Sequence, residues 1–144
     1  MRTQYLAAFL LFAAGFVLGA EPPTIADLKQ RAMAAHQAEQ PRLFLDIAER
    51  QLKVTDEAYR GGDIEQGQAA LGDVAAYCER AGLSATTTRK YMKRAEIRIR
   101  DMSRRLEAIR RTLNFDDRTP LATAIERMEK VRTDLLNAMF GLKS

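Results

Sequence analysis

Residues 84–113 read SATTTRKYMKRAEIRIRDMSRRLEAIRRTL and contain neither glycine nor proline. Their apolar positions recur at alternating steps of four and three, which places these side chains on one face of an α-helix. The stretch therefore predicts one long helix, and such a helix needs partners against which to bury its apolar face. The positions on this face are Thr88, Met92, Ala95, Ile99, Met102, Leu106, Ile109 and Leu113.

Caps and helix-breaking residues predict four further helices. Pro41 separates the first two, either by bending the chain or by occupying the first turn of the second helix. The glycine pair at 61–62 ends the second helix, Asp63 caps the third, and Gly82 is expected to end it. Thr119 is expected to cap the last helix. The predicted spans of these four helices are 24–39, 42–60, 64–81 and 120–140.

The five segments together predict an all-α fold. Short links make helices that are consecutive in sequence antiparallel, so we predict an antiparallel bundle of four long helices plus a short N-terminal helix, with coiled-coil-like packing. Phe115 and Phe140 stand at helix ends and are expected to close the ends of the bundle. The third helix carries a second evenly spaced seam, formed by Ile64, Gly67, Leu71, Val74, Cys78 and Ala81.

Residues 1–20 have the pattern of a secretory signal peptide. Arg2 supplies the positive charge, residues 6–18 the apolar run, and Gly19-Ala20 the small residues of a cleavage point. The run is shorter than the roughly 20 residues that cross a bilayer. We therefore expect export to the periplasm or medium, cleavage near Ala20, and a single helical domain over 21–144. Retention of the leader as an anchor is the alternative.

Residues 48–81 resemble a single tetratricopeptide unit, a hairpin of two helices. The resemblance covers this hairpin alone, because one repeat length after Gly62 the chain stands at Glu96, in the middle of the next predicted helix. It implies a close helix crossing after a tight turn and use in binding proteins. The residues that carry it are Tyr59, Gly62, Asp63, Ile64, Gly67, Leu71 and Val74.

The helix predicted over 84–113 is strongly basic. Residues 89–111 include ten basic and three acidic residues, a net charge of +7, whereas the whole chain carries +4. Each acid stands four residues before an arginine, so part of this charge is expected to be a paired, solvated helix face. The alternative is a surface for an anionic lipid or polymer, while export and the shortage of interleaved aromatic residues disfavour nucleic acid. The candidate polyanion-binding residues are Lys90, Arg94, Arg98, Arg104, Arg105 and Arg110.

Patterns typical of enzymes or cofactor sites do not occur. His36 is the only histidine, and the Glu-x-x-His pairing of a di-metal bundle fails because residue 33 is Met. A haem held by His36 and either Met128 or Met139 is an alternative, although methionine at helical spacing is typical of a core. Cys78 lies on the apolar seam, and a lone cysteine excludes an internal disulfide but not one between chains. We therefore predict no catalytic residues, cofactor or metal.

These features predict a non-enzymatic interaction or structural module of the cell envelope. It is expected to bind an envelope protein through the outer faces of its second to fourth helices, with polyanion binding as the alternative. Weak self-association is also predicted, because the fourth helix outruns its neighbours and leaves an apolar end over 106–115 that the last helix covers only in part.

Overall fold

The computed structural model describes residue 19 and residues 21–141. The predicted secretory leader therefore lies outside the described residues, apart from Gly19. The predicted all-α bundle of four long helices and a short N-terminal one is confirmed. The helices are α1 (Ile25–Ala34), α2 (Gln40–Arg60), α3 (Ile64–Thr88), α4 (Met92–Thr112) and α5 (Arg118–Phe140), with a 3-10 turn at Phe115–Asp117.

Two antiparallel hairpins, α2–α3 and α4–α5, pack side by side to form the bundle. They meet along α3 and α5 on one side and along α2 and α4 on the other, while α1 packs on α2. Glu79 pairs with Arg127 and Gly82 lies against Val131, so α3 and α5 run in the same direction. The contacts between α2 and α4 likewise show that these two helices run in the same direction, so their C-terminal halves lie beside each other.

The core is formed by the facing apolar seams of α2 to α5. Ile99, Met102 and Leu106 of α4 are at most 1% exposed, and the predicted α4 seam is buried from Ala95 to Ile109. The seam of α3 is buried in the same way from Gly67 onward. A smaller cluster fastens α1 to the start of α2 through Leu28, Ala32, Leu43 and Ile47. Burial of both predicted seams explains why the hairpins associate.

The single helix predicted over 84–113 is wrong at its N-terminal end. Residues 84–88 belong to α3, the chain then turns, and α4 begins at Met92. The turn is built by Arg89 and Tyr91, which adopt left-handed φ angles of 57° and 67°. Neither residue type favours that conformation, so the sequence contains no signal for the turn. Gly82, predicted to end α3, instead lies inside it.

Other predicted helix limits also differ from those observed. α1 ends at Ala34, five residues before the predicted end, and Pro41 occupies the first turn of α2, as one of the two alternatives expected. α5 begins at Arg118 with Asp117 at its N-cap position, so Thr119 is not the cap. The intervening 3-10 turn explains this shift, because it brings the chain into helical geometry before Thr119.

Phe115 and Phe140 do not close the bundle, because they are 84% and 71% exposed. Phe115 opens the 3-10 turn outside the helical seams. Phe140 stands five residues after the buried Leu135, which rotates it about 140° away from the core at 100° per residue. The apolar end predicted over 106–115 is therefore limited to the half-buried Leu113 and to Phe115, since Leu106 is fully buried.

Candidate functional site

Arg98 of α4 fastens the first half of α4 to α2. Its guanidinium donates from Nη2 to Asp46 Oδ1 at 2.7 Å and from Nε to Glu49 Oε1 at 2.9 Å, and from Nη1 to the Tyr91 hydroxyl at 3.3 Å. Burial acts to lower the pKa of Arg98, but the hydrogen bonds to Glu49, Asp46 and Tyr91 outweigh it and raise the pKa. Arg98 thus remains charged and joins the two helices.

Beyond Arg98, a groove of about 920 Å³ opens between the C-terminal halves of α2 and α4. Leu52, Tyr59 and Ile109 form its base and are buried, and the half-buried Leu113 lies at its end. The wall formed by α4 also contains the short side chains of Ala108 and Thr112, which leave space facing α2. This combination of an apolar base and an open side is typical of a site that receives a partner.

Tyr59, which lines this groove, also carries an unsatisfied polar group in the interior. Its hydroxyl is buried and has no hydrogen-bond partner in the part of the chain that the structure describes. Burial raises the pKa of Tyr59, and the negative charge of Asp117 raises it further, so the hydroxyl keeps its proton. A Cβ on Gly67 would lie 2.9 Å from the Tyr59 ring, so the close crossing of α2 and α3 holds the ring in place. The hydroxyl is therefore a fixed donor that has no acceptor among the described residues and is closed to solvent.

The charges along the rim of the groove are not balanced. Asp56 accepts from Arg60 at 2.9 Å, and Glu49 is engaged by Arg98, so both rim carboxylates already have partners. Lys53 lies only loosely against Glu57, at 3.9 Å. Arg105 of α4 forms no ion pair with any residue in 21–141. The rim therefore carries uncompensated positive charge on its α4 side.

Two of the three ion pairs predicted within α4 are present in the structure described, and the third is not. Glu96 lies 3.9 Å from Arg100, and Glu107 lies 3.9 Å from Arg111. Asp101 does not pair with Arg105 in the structure described. The shortest ion pair of Glu96 is with Arg132 of α5, at 2.7 Å. Glu96 is only 6% exposed because it is turned into the α4–α5 interface.

The six predicted polyanion-binding residues fall into two groups. Arg98 is held between two carboxylates, and both Nε and Nη2 of Arg110 donate to Glu107, which raises the pKa of Arg110. The remaining four are exposed and form no ion pair within the described part of the chain. These four are Lys90, Arg94, Arg104 and Arg105.

The sequence points to Tyr59 only through the resemblance to a tetratricopeptide unit, and no sequence pattern predicted the groove. Tyr59 and Ile109 belong to helices that are not consecutive in sequence, so no local pattern connects them. The one available signal was chemical, since a tyrosine on an apolar seam brings a hydroxyl that needs a partner.

The residues considered for other chemistry lie away from the groove. Cys78 is fully buried, and burial raises the pKa of its thiol to about 12, so it is not a nucleophile at neutral pH. His36 is exposed in the α1–α2 link, whereas Met128 is fully buried in α5. Among the described residues, no group of three histidine, cysteine or acidic side chains is arranged to hold a metal.

None of the helices that the structure describes is both long enough and apolar enough to cross a bilayer. Comparisons of the chain with protein-family models, with characterised proteins and with solved structures found no match.

Proposed function

We propose that this protein is an exported, non-enzymatic binding module whose groove between α2 and α4 holds a segment of an envelope protein. The observation that carries this proposal is the open groove itself, whose base is formed by Leu52, Tyr59 and Ile109 and whose rim holds Arg105, a residue without an ion pair within residues 21–141. A carboxylate of the partner would give Arg105 the ion pair that the described residues do not supply. Partner side chains would at the same time displace water from Leu52 and Ile109.

The groove best fits an amphipathic helix with acidic residues along one edge. It extends over residues 49–60 of α2 and 105–113 of α4, about 18 Å and 13 Å long at 1.5 Å per residue, which matches two to three turns of helix. Helices bind such grooves through apolar anchors at i, i+3 or i+4, and i+7. Carboxylates of the bound helix would face Arg105, whose charge is uncompensated, since the acids of the groove rim are already paired.

A photo-crosslinking residue in place of Ala108 tests this proposal in the native envelope. Ala108 is an exposed residue of the groove wall, and Ala122 is an exposed residue of α5 outside the groove that serves as the matched position. We expect Ala108 to give one major crosslinked protein and Ala122 not to give it. Mapping the crosslinked peptide identifies the bound segment, which is expected to be apolar on one face and acidic at its edge.

The second step measures binding of that segment, as a synthetic peptide, to charge-reversal variants. Arg105→Glu is expected to weaken binding about tenfold or more, because it removes an attraction and adds a repulsion. Arg104→Glu makes the same charge change at the neighbouring residue, which is exposed but does not line the groove. Equal effects of the two variants, or equal crosslinking from Ala108 and Ala122, would contradict the proposal.

Export itself is part of the proposal and has its own test. The pattern of residues 1–20 supports it. The expected outcome is a protein recovered outside the cytoplasm whose N-terminal sequence starts at Glu21 or within a few residues of it. Recovery in the cytoplasm with Met1 retained would contradict export and would leave the groove proposal with a cytoplasmic partner.

Binding of an anionic lipid or polymer is the second candidate, favoured by four exposed cations that form no ion pair with any described residue: Lys90, Arg94, Arg104 and Arg105. Vesicles of phosphatidylglycerol are expected to bind the protein at low salt and to release it as salt screens the charges, whereas phosphatidylcholine vesicles are not expected to bind it. Arg94→Gln combined with Arg104→Gln should weaken this binding and leave peptide binding in the groove unchanged. Salt-insensitive binding, or none, would exclude this candidate.

A further inference from the structure

The turn between α3 and α4 is made by residues that disfavour its geometry. Arg89, at the end of α3, and Tyr91, at the start of α4, have φ angles of 57° and 67°. Left-handed positions at helix ends are usually occupied by glycine, because a Cβ makes the conformation costly. The chain thus adopts an unfavourable backbone conformation twice within three residues.

The helix ends that meet at this turn also lack good caps. α4 starts without a side-chain cap, since tyrosine has no short oxygen that reaches the first amides. The last carbonyl groups of α3 and the first amide groups of α4 lose the partners that a continuous helix would provide. Straightening the turn would restore those backbone hydrogen bonds and would remove both left-handed residues.

The apolar pattern runs through this turn without interruption. From Gly67 to Leu113 the seam positions follow alternating steps of four and three, and Ala85, Thr88 and Met92 continue the series across the turn. No glycine or proline occurs from residue 83 to residue 113. A chain with this pattern is compatible with one helix over residues 64–112, about 73 Å long at 1.5 Å per residue.

We propose that α3 and α4 join into one continuous helix in a second state, a dimer in which each of two copies receives the α4–α5 hairpin of the other. Every contact between the two hairpins, including that of Arg98 with Asp46 and that of Gly82 with Val131, is then remade between copies. Only the turn at residues 89–91 changes, and short strained connections of this kind favour domain exchange. The groove between α2 and α4 is remade as well, so the dimer carries two grooves. The proposal does not depend on what the groove binds.

Substitutions at Arg89 test the proposal, because this side chain is exposed and forms no ion pair in the described structure. Arg89→Gly relieves the left-handed position and weakens a continuous helix, whereas Arg89→Ala removes the same side chain, keeps the unfavourable position and favours the continuous helix. The dissociation constant of the dimer is expected to be about a hundredfold higher for Arg89→Gly than for Arg89→Ala, since two such turns are straightened for each dimer that forms.

The measurement uses the full exported chain, unfolded in urea and refolded over a range of concentrations, because exchange requires the hairpins to separate. Size-exclusion chromatography with light scattering then gives the dimer fraction, which is expected to rise with concentration for the wild type. Circular dichroism verifies that both variants are helical. Equal dimer fractions for the glycine and alanine variants, or a wild type and alanine variant that stay monomeric at every concentration, would overturn the proposal.

A crosslink across the α3–α5 interface separates exchange from simple docking. Glu79 and Arg127 pair at 2.6 Å on the surface, so Glu79→Cys with Arg127→Cys places two accessible thiols beside each other, while Cys78 is buried and does not react. A short bis-maleimide is expected to link two chains in the isolated dimer and to link within one chain in the monomer. Single-chain crosslinks throughout the isolated dimer on a denaturing gel would show docking without exchange and would refute the proposal.

Discussion

Gly82 of α3 lies so close to Val131 of α5 that a Cβ on residue 82 would overlap Val131 Cγ1. Val131 is β-branched and stiff at χ1, so it has little freedom to move away. We expect Gly82→Ala to lower the free energy of unfolding by about 1 kcal/mol, because overpacking costs about 1 to 3 kcal/mol and the gain in helix propensity returns only about 1. Urea denaturation measures this change.

Gly72→Ala is the matched control for this substitution. Gly72 lies in the same helix, is exposed, and has no atom within 4 Å of the position of an added Cβ. The alanine is expected to raise the free energy of unfolding by about 1 kcal/mol through helix propensity alone. Changes of the same sign at residues 72 and 82 would show that α3 and α5 are not in close contact at Gly82.

Removal of the Tyr59 hydroxyl is expected to stabilise the free protein. Tyr59→Phe deletes a buried donor that has no partner among the described residues, so the free energy of unfolding should rise by about 1 kcal/mol. Tyr91→Phe is the control, because the Tyr91 hydroxyl accepts a hydrogen bond from Arg98 and its loss should destabilise. If Tyr59→Phe destabilises the protein, the hydroxyl already has an acceptor and is not an unsatisfied donor.

Arg98 and Arg94 stand four residues apart in α4 and are expected to differ sharply in their contribution to stability. Arg98→Ala leaves Asp46 and Glu49 without their shared partner and should cost about 2 kcal/mol, since hydrogen bonds to charged groups contribute about 1.5 to 3. Arg94 is exposed and unpaired in the described structure, so Arg94→Ala should change stability by less than about 0.5 kcal/mol. Thermal and urea unfolding measure both, and equal losses would argue against the Arg98 contacts.

Cys78 is expected to be unreactive in the folded protein. Its thiol is fully buried and its pKa is raised to about 12 by burial, so the reactive thiolate is nearly absent at pH 8. Labelling with a maleimide or an aromatic disulfide should proceed only as fast as the protein unfolds, and it should become rapid in urea. Rapid labelling without denaturant would place Cys78 outside the core and contradict the packing of α3.

Asp27 is expected to stabilise α1 in a manner that depends on pH. The Thr24 amide donates to Asp27 Oδ2 at 3.1 Å, and the Asp27 amide donates to Thr24 Oγ1 at 3.1 Å. The hydrogen bond from the Thr24 backbone holds the pKa of Asp27 below its ordinary value of 3.8. A carboxylate whose pKa is lowered by folding stabilises the fold above its unfolded-state pKa and loses that effect as pH falls through its folded-state pKa.

Asp27→Ala tests this dependence through melting temperatures between pH 7 and pH 2. The wild type is expected to melt above the variant at pH 7, and the difference should shrink as pH falls below 3.8. Thr24→Ala should produce a similar loss at pH 7, because it removes the other half of the reciprocal cap. A difference that grows toward low pH would contradict the assigned hydrogen bond.

Local sequence pattern does not distinguish the paired from the unpaired residues among those predicted to bind a polyanion. Lys90, Arg94, Arg98 and Arg104 look equivalent in sequence, since each is a base in one basic segment. Only the position of α2 distinguishes Arg98, because Asp46 and Glu49 lie about fifty residues earlier in the chain and engage it across the bundle. The groove could not be predicted for a related reason, because its walls are two helices that are not consecutive in sequence.

The helical seams could be read from the sequence, because the spacing of apolar side chains on a helix is a local property of the chain. Their burial on both α3 and α4 could be predicted as well, since an apolar helix face must pack against another helix to be removed from water. The turn at Arg89 and Tyr91 could not be read in this way, because local preference there favours a continuous helix and the packing of two hairpins overrides it. The same packing, acting between residues far apart in the chain, determines which arginines are paired and opens the groove between α2 and α4.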